Sequence, residues 1–372
     1  MKLTRLFTLI ISAAAFVACG GDSNGDDQQY APKGNVEFTA DCISVEVNHP
    51  ITFTVIAEDG TDITAEATIF DRSHNFQIVA NPFTPTEDGE YTFFASGANF
   101  ISSDIIVNVV PSIPALPDDE QPENTSFNHR ILLVDHSGTG CYYCPEMMKI
   151  LHEIANEESD YHNKYYEVVS HSFNNNDPAS SEAAYFVKGH YGVSTFPSLT
   201  YNFYHDTVST HNGGAPVVKA QIDRLWKAEG ANIGIAATTS LAAKCVVVNT
   251  EVKAAATNDY RITAWLLQDG IEALQSGGIE DWMHIHNNAL RQRVNASTIT
   301  GVSLGNIVAG ETKNETLTLD ISKRNWDINE GDNKDNFKVL IIVSEKNDKG
   351  RFEVANVALC PINQSVTYDY KE

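Results

Sequence analysis

The feature that most constrains the fold of this chain is an alternation of patterns between residues 128 and 229. Three apolar, strand-like runs are each followed by apolar residues at helical spacing. These runs are residues 131–134, 166–173 and 198–203. A β-α-β-α-β-α order predicts an α/β domain, because helices that connect the strands of one sheet must cover its faces.

The regions on either side have the alternation that is typical of β-strands. Short alternating segments separated by Asp-Gly and Asn-Pro turns fill residues 34–111, and strand-like runs return over residues 230–372. We therefore expect a β-sandwich at each end. The segment Asp88-Gly89-Glu90-Tyr91 resembles the tyrosine corner of immunoglobulin-like domains, so the first sandwich is predicted to be immunoglobulin-like.

A proline-rich and acidic stretch, residues 112–127, separates the first β region from the α/β region. It has four prolines in it or beside it and four acidic residues. This composition favours a stiff, extended linker. The expected fold is a multidomain α+β protein with three folded parts.

The first residues indicate export. Lys2 and Arg5 precede an apolar run at residues 6–17, which is too short to span a bilayer but has the length of a secretory signal core. Small residues then precede Cys19, which resembles the cleavage box of bacterial lipoproteins, in which the cysteine is acylated. We predict a signal peptide over residues 1–18 and a lipid on Cys19; an ordinary signal peptide is the alternative.

Residues 19–33 are rich in Gly and Asp and predict a flexible tether, because they cannot bury apolar area. Acidic residues beside the acylated cysteine resemble the signals that direct lipoproteins of Bacteroidetes-type bacteria to the outer cell surface. A solvated spacer explains them equally well. We expect a lipid-anchored outer-membrane protein, on either the periplasmic or the extracellular face.

The charge excludes one class of partner. The chain has 25 Lys and Arg against 49 Asp and Glu, a formal net charge of -24. Such a chain repels phosphate backbones and anionic lipid surfaces. We expect no nucleic-acid partner and membrane contact through the lipid anchor; the sequence leaves the oligomeric state open.

Cys141 and Cys144 carry the strongest chemical signal. Two cysteines separated by two residues at a helix start can close a small disulfide, and the helix dipole favours a thiolate at the first. We assign Cys141 as the attacking thiol, with its sulfur facing outwards, and Cys144 as the shielded resolving thiol. Zinc, which usually takes four ligands, and a purely structural disulfide are the alternatives. We expect neither a metal nor another cofactor.

The residues around the pair resemble thioredoxin-like proteins. Residues 132–135 match the strand of that fold that ends in a buried acid, and residues 192–197 look like its cis-proline loop. The resemblance implies that Asp135 has a raised pKa and acts as base for Cys144, and that Phe196 and Pro197 hold an extended substrate segment. From the residues alone, Asp135 could instead make a turn hydrogen bond and Pro197 could be an ordinary turn proline.

The layout also resembles the outer membrane protein 28 family of Bacteroidetes-type lipoproteins. Residues 137–145, with the Cys-x-x-Cys-Pro motif, and residues 286–291, a His-Asn-x-x-Leu-Arg-like segment, carry this resemblance. We predict a lipid-anchored thiol-disulfide oxidoreductase that acts on protein thiols or disulfides. The alternative is a surface binding or adhesion lipoprotein whose cysteine pair is a static disulfide.

Three cysteines remain besides Cys19 and the pair. Cys245 and Cys360 both lie on predicted strands of the last region, which is compatible with a structural disulfide between them. Cys42 would then be a small buried hydrophobic residue.

Overall fold

The computed structural model describes residues 35–156, 160–203, 210–242, 245–322, 326, 328 and 333–372. The predicted signal peptide, the acylated Cys19 and the tether lie outside the described residues. Strands and α-helices are numbered separately in chain order. Of the helices in the described ranges, none has the length and apolar content needed to cross a bilayer.

The elements fall into three stretches of the chain. The first contains β1 (Val36–Ala40), β2 (Ser44–Glu46), β3 (Phe53–Ala57), β4 (Thr68–Asp71), β5 (Gln77–Val79), β6 (Gly89–Gly97), β7 (Phe100–Ile101) and β8 (Ile105–Val110). The second contains β9 (Ile131–Ser137), α1 (Cys144–Asn156), β10 (Tyr165–His171), α2 (Glu182–Tyr191), β11 (Ser198–Tyr201) and α3 (Gly214–Leu225).

The third stretch contains strands and short 3₁₀ turns. Its strands are β12 (Ile233–Leu241), β13 (Cys245–Ala254), β14 (Asn258–Gln268), β15 (Ile271–Glu272), β16 (Ile285–His286), β17 (Ala289–Arg293), β18 (Val302–Ile307), β19 (Thr312–Asp320), β20 (Phe337–Lys346), β21 (Phe352–Pro361) and β22 (Ser365–Val366). Runs of three β-branched residues, 246–248 and 341–343, favour the extended conformation of β13 and β20.

Two sheets form the first region. β1 pairs with β3, and the second sheet has the order β2-β8-β6-β4-β5, with β7 beside β6. The alternate positions Phe53 and Val55 of β3 are buried, as are Phe93 of β6 and Val107 of β8, and all four belong to one core. This period of two places one face of each strand in the core.

One mixed sheet of eight strands runs through the rest of the molecule. Its order is β11-β9-β10-β17-β14-β20-β21, with β18 also paired to β14. β9 and β10 are parallel and connected through α1, and β10 is parallel to β17 through the pair Val169 and Ala289. The other pairings in this sheet are antiparallel.

The two faces of the sheet have different cores. Ile131 and Leu133 of β9 pack with residues of α1 and α3, whereas Leu132 and Val134 pack with α2 and with β14, β17 and β20. All seven residues of β9 are buried, as expected for a central strand covered on both faces. A four-stranded sheet, β19-β13-β12-β22, packs on the C-terminal half of the long sheet.

The predicted three-part arrangement, with an immunoglobulin-like sandwich, a thioredoxin-like α/β domain and a C-terminal sandwich, is wrong. The protein is mostly β, with three α-helices among its described residues. No self-contained central α/β domain forms, because β10 continues through β17 into the strands of the C-terminal region. The core below α2 likewise combines Val134 with Trp265 and Leu340.

Lys253 of β13 fastens the proline-rich stretch to this body. Lys253 is 1% exposed. Its ammonium group lies within hydrogen-bonding distance of the Asp119 carboxylate, the Tyr370 hydroxyl and the carbonyl oxygens of Gln121, Pro122 and Asn124. The stretch is thereby held against β13 and the end of the chain.

Candidate functional site

Cys141 and Cys144 form a disulfide in the turn between β9 and α1. The N-H of Cys141 donates to the carbonyl oxygen of Gly138 at 3.0 Å. α1 begins at Cys144, and Pro145 occupies its first turn, where the missing N-H costs little. The pair is therefore in its oxidised form at a helix N-terminus.

Both cysteines are buried. Cys141 is 2% exposed and Cys144 is 0% exposed, so the expectation that the first sulfur faces outwards is wrong for this structure. The neighbouring Tyr142, in contrast, is 67% exposed. The turn is covered by a segment of the C-terminal region, residues 273–278, which we call the cover segment.

The cover segment contacts the disulfide turn at several points. The Gln275 side-chain amide donates to the carbonyl oxygen of Cys141 at 2.9 Å and to that of Gly138 at 3.2 Å. The N-H of Ser276 donates to the carbonyl oxygen of Thr139 at 2.7 Å. Gly277 has a φ of +74°, and a Cβ there would lie 2.4 Å from the carbonyl oxygen of Tyr142. This approach therefore requires glycine.

Asp135 lies on β9, two residues before the strand ends. It is 2% exposed, and its Oδ1 has no hydrogen-bond partner among the described residues. Burial, and after it the charge of Glu167, raises the pKa of Asp135 well above its usual range. By the alternation along β9, Asp135 is on the same face as Leu133, which packs against α1.

A cavity of about 360 Å³ opens beside Asp135, and sequence analysis did not predict it. Its lining includes Asp135, Glu167, His171 and His286, with Trp282 on one side. Glu167 accepts a hydrogen bond from the Asn288 side chain at 3.3 Å, and burial raises its pKa. Two carboxyl groups with raised pKa values thus share one cavity.

A second acid near the disulfide has the opposite environment. Asp177 accepts hydrogen bonds from the His171 ring at 2.9 Å, the Thr139 N-H at 2.7 Å and the Ala179 N-H at 2.8 Å. Burial alone would raise the pKa of Asp177, but the hydrogen bond and charge of His171, with the two N-H groups, lower it to about 2. Asp177 thus ties the disulfide turn to β10.

The histidines of the cavity connect it to the cover segment. The rings of His171 and His286 meet edge to face with centroids 4.9 Å apart. The His286 ring donates to the carbonyl oxygen of Ala273 at 3.1 Å, and burial lowers the pKa of His286 to about 4. Over the described ranges, no three His, Cys, Asp or Glu side chains are arranged to hold a metal ion.

Phe196 and Pro197 precede β11 and are joined by a cis peptide bond. The Phe196 ring packs edge to face on Phe173, with centroids 5.4 Å apart. Phe173 in turn lies close to Gly138: a Cβ added to Gly138 would be 2.5 Å from the Cβ of Phe173. The structure therefore brings Phe196 to the disulfide turn by way of Phe173.

The disulfide between Cys245 and Cys360 that the sequence allowed does not form. The Cys360 sulfur lies about 4.0 Å from the Ala237 carbonyl oxygen and from the Thr239 hydroxyl. Thr239 pairs with Val248 of β13, three residues from Cys245 along the strand. At about 3.4 Å per residue, this displacement exceeds the reach of a disulfide.

Polar residues at the carboxyl ends of adjacent strands were the signal that could have identified His171 and Asp177 from sequence. His171 ends β10, and β10 is parallel to β9. Their partner His286 and the cover segment belong to a distant part of the chain. His286 begins the segment 286–291 that carries the resemblance to the outer membrane protein 28 family, but nothing in the sequence places it or the cover segment beside the disulfide turn.

Comparison with known proteins supports the fold alone. No protein-family model matches the chain, and no curated protein matches it in sequence. Among solved structures, HBP35 of Porphyromonas gingivalis is similar with a TM-score of 0.51 and 15% identity, over 64% of this chain and 77% of that chain. The resemblance to the outer membrane protein 28 family therefore stays a prediction.

Proposed function

We propose that the protein exchanges thiols and disulfides with other proteins through Cys141 and Cys144. The observation that carries this proposal is a disulfide at a helix N-terminus, in the turn after the strand that carries Asp135, a buried carboxyl group that lacks a hydrogen-bond partner for one oxygen among the described residues. Perturbed ionisable groups of this kind are concentrated at functional sites.

The exchange begins from the oxidised pair. A thiolate of a partner protein attacks the Cys141 sulfur, the Cys141–Cys144 bond breaks, and Cys144 leaves with the electron pair. A second thiol of the partner then attacks the mixed disulfide and releases Cys141. The partner loses two electrons and two protons, and the pair gains them. A protein disulfide reoxidises the pair by the reverse steps.

Asp135 supplies the proton that the Cys144 thiolate takes up when the disulfide is opened. A carboxyl group with a raised pKa holds its proton to a higher pH than an ordinary aspartic acid does, and it can transfer this proton to the leaving thiolate of Cys144. In the reverse direction the Asp135 carboxylate accepts the proton of Cys144. Glu167, in the same cavity, is the neighbouring group through which the proton of Asp135 can reach solvent.

A protein is the expected partner because the rim of the turn is aromatic and exposed. Tyr142, Tyr143 and Phe173 all expose large parts of their rings. Aromatic side chains supply large contact area to protein interfaces. We propose that Phe196 and Pro197, beside Phe173, hold the extended segment of the partner that carries its sulfur.

Burial of both sulfurs favours a second candidate function. A disulfide with cysteines 2% and 0% exposed can serve as a static cross-link. The protein would then be a surface binding or adhesion lipoprotein without redox activity. The two functions differ in one measurable property, whether the pair exchanges with protein thiols.

Thiol-disulfide exchange with reduced ribonuclease A, a protein dithiol, separates the two candidates. We expect the oxidised wild-type chain to oxidise this protein and Cys141→Ser to leave it reduced. Cys42→Ser is the matched control, because Cys42 lies in the first region and packs against the core there. A wild-type chain without activity and with a reduction potential below about -300 mV would establish the static disulfide.

We further propose, from the sequence, that the chain is anchored to the outer membrane by a lipid on Cys19 and belongs with the outer membrane protein 28 family. Replacement of the predicted acylation site tests the anchor. Cys19→Ala should move the protein from the membrane fraction to the soluble fraction, whereas Cys42→Ser should leave it in the membrane fraction. An anchored Cys19→Ala protein would contradict the proposal.

A further inference from the structure

The disulfide turn and the cover segment are in direct contact, although they are far apart in sequence. The hydrogen bond from Gln275 to Gly138 joins residues separated by 137 positions. Gln275 is itself buried, and its amide nitrogen contacts the backbone on both sides of the turn. Its Oε1 has no hydrogen-bond partner among the described residues.

The cover segment is connected to the rest of the protein through two very short strands. β15 and β16 pair over two residues each, and they flank the segment and the 3₁₀ turn Asp281–His284. Within this loop, Met283 is fully buried and the Trp282 ring stacks on His152 with centroids 4.4 Å apart, whereas Leu274 and Ile279 are each 80% exposed. The buried apolar contacts of the loop therefore lie in its 3₁₀ turn and not in the cover segment. The cover segment is attached to the disulfide turn mainly by the hydrogen bonds of Gln275 and Ser276.

We propose that the cover segment is a gate, with Gln275 as its latch, that excludes small thiols from the Cys141–Cys144 disulfide and makes the exchange selective for protein thiols. This inference rests on the proposed function. A small thiol makes almost no contact with the protein except through its sulfur, so it gains little binding energy. It can therefore react only when the gate opens spontaneously. A protein can offset the lost latch bonds through contacts with the exposed rings of Tyr142 and Tyr143.

The test compares the rates at which two reductants reduce the disulfide. One reductant is glutathione, and the other is reduced ribonuclease A, a protein dithiol. We expect Gln275→Ala to raise the rate with glutathione about tenfold, because the net contribution of two hydrogen bonds is lost. The rate with reduced ribonuclease A should change less, so the preference for the protein should fall.

Two further variants keep the test decisive. Gly277→Ala places a Cβ against the carbonyl oxygen of Tyr142 and should also raise the rate with glutathione. Leu274→Ser is the matched control within the cover segment, because the Leu274 side chain is 80% exposed. Glutathione should reduce this variant at the wild-type rate. Near-ultraviolet circular dichroism establishes that each variant is folded.

The outcomes separate the gate from the proposed function. Unchanged glutathione rates in folded Gln275→Ala and Gly277→Ala would overturn the gate. A wild-type disulfide that reacts with glutathione as fast as the free oxidised peptide of residues 140–145 would also overturn it. If the latch variants react faster with glutathione but no form reacts with reduced ribonuclease A, the proposed function fails, and so does selectivity for proteins, while exclusion of small thiols holds.

Discussion

Lys253 and Asp135 are both buried and ionisable, but their surroundings differ. The Lys253 ammonium group has five oxygen atoms within hydrogen-bonding distance, including the Asp119 carboxylate. Asp135 has an oxygen without a hydrogen-bond partner in the described structure. A buried ionisable group with all its hydrogen-bond partners, which we call saturated, stabilises the fold around it. One that lacks a partner, which we call unsatisfied, lowers stability, and such groups are found mainly at functional sites.

The pKa values follow the same difference. Burial alone would lower the pKa of Lys253, but the hydrogen bonds of Asp119 and Tyr370 outweigh burial and raise it. Burial and Glu167 together raise the pKa of Asp135. The surroundings of Lys253 therefore favour its charged form, and those of Asp135 favour its neutral form.

The largest effect is expected at the saturated site. Lys253→Met removes a buried charge and the donor to three carbonyl oxygens, while Asp119 keeps only its hydrogen bonds from the Tyr370 hydroxyl and the Gln121 N-H. We expect a loss of about 3 kcal/mol in the free energy of unfolding, measured by urea denaturation. Lys349→Met, at an exposed lysine, should change it by no more than about 0.5 kcal/mol. Equal stability of the two variants would contradict the role given to Lys253.

Asp177 extends the comparison to the disulfide turn, because this buried acid, unlike Asp135, has hydrogen-bond donors to both of its carboxylate oxygens. Its folded pKa of about 2 is below the value of about 3.9 that is usual for an unfolded chain. Asp177 therefore contributes stability above pH ~4, and this contribution of about 2 kcal/mol is lost as the pH falls towards 2.

Asp177→Asn should remove this part of the acid dependence. Stability of the wild-type chain and of the variant, measured by urea denaturation from pH 6 to pH 2, should converge at the acid end. Asp88→Asn, at an acid of the first region, is the control. Parallel curves over the whole range would show that Asp177 does not have its lowered pKa.

The smallest stability effect, with the opposite sign, is expected at Asp135. Its raised folded pKa means that folding disfavours the carboxylate, so the penalty is absent below the unfolded pKa and grows as the pH rises through the folded pKa. Asp135→Asn should therefore stabilise the protein at pH 8 by about 1–2 kcal/mol, the scale of one unsatisfied buried polar group. At pH 4 the stabilisation should disappear.

The same variant should slow thiol exchange near neutral pH, because the proton donor for Cys144 is lost. Asp177→Asn is the comparison, since Asp177 is also buried near the disulfide turn but is not assigned a proton transfer. An Asp135→Asn protein that is less stable than wild type at pH 8 would place Asp135 with Lys253, as a structural group.

Local features of the site were predictable from sequence. The run 131–134, the helical spacing after it and the Cys141–Cys144 pair are encoded within about 25 residues, where periodicity and caps decide the structure. The return of strand-like runs over residues 230–372 was also predicted, and strands form there. Each of these features depends on neighbours along the chain.

Features that depend on distant contacts were not predictable. The exposure expected for Cys141 followed from its position before a helix, but Gln275 and Ser276 cover the turn. The separate α/β domain followed from the order of elements, but β17 joins β10 through one residue pair, and no periodicity records such a pairing. The asymmetry between Asp135 and Asp177 likewise depends on which donors reach each carboxylate.

The sequence by itself determined where a strand, a turn with two cysteines and a helix follow one another, because those choices are local. Tertiary structure alone decided that the disulfide is covered, that Asp135 is unsatisfied while Asp177 is saturated, and that one sheet crosses the expected domain boundary. These properties arise from desolvation and from hydrogen bonds between segments far apart in the chain, and only the folded arrangement specifies them.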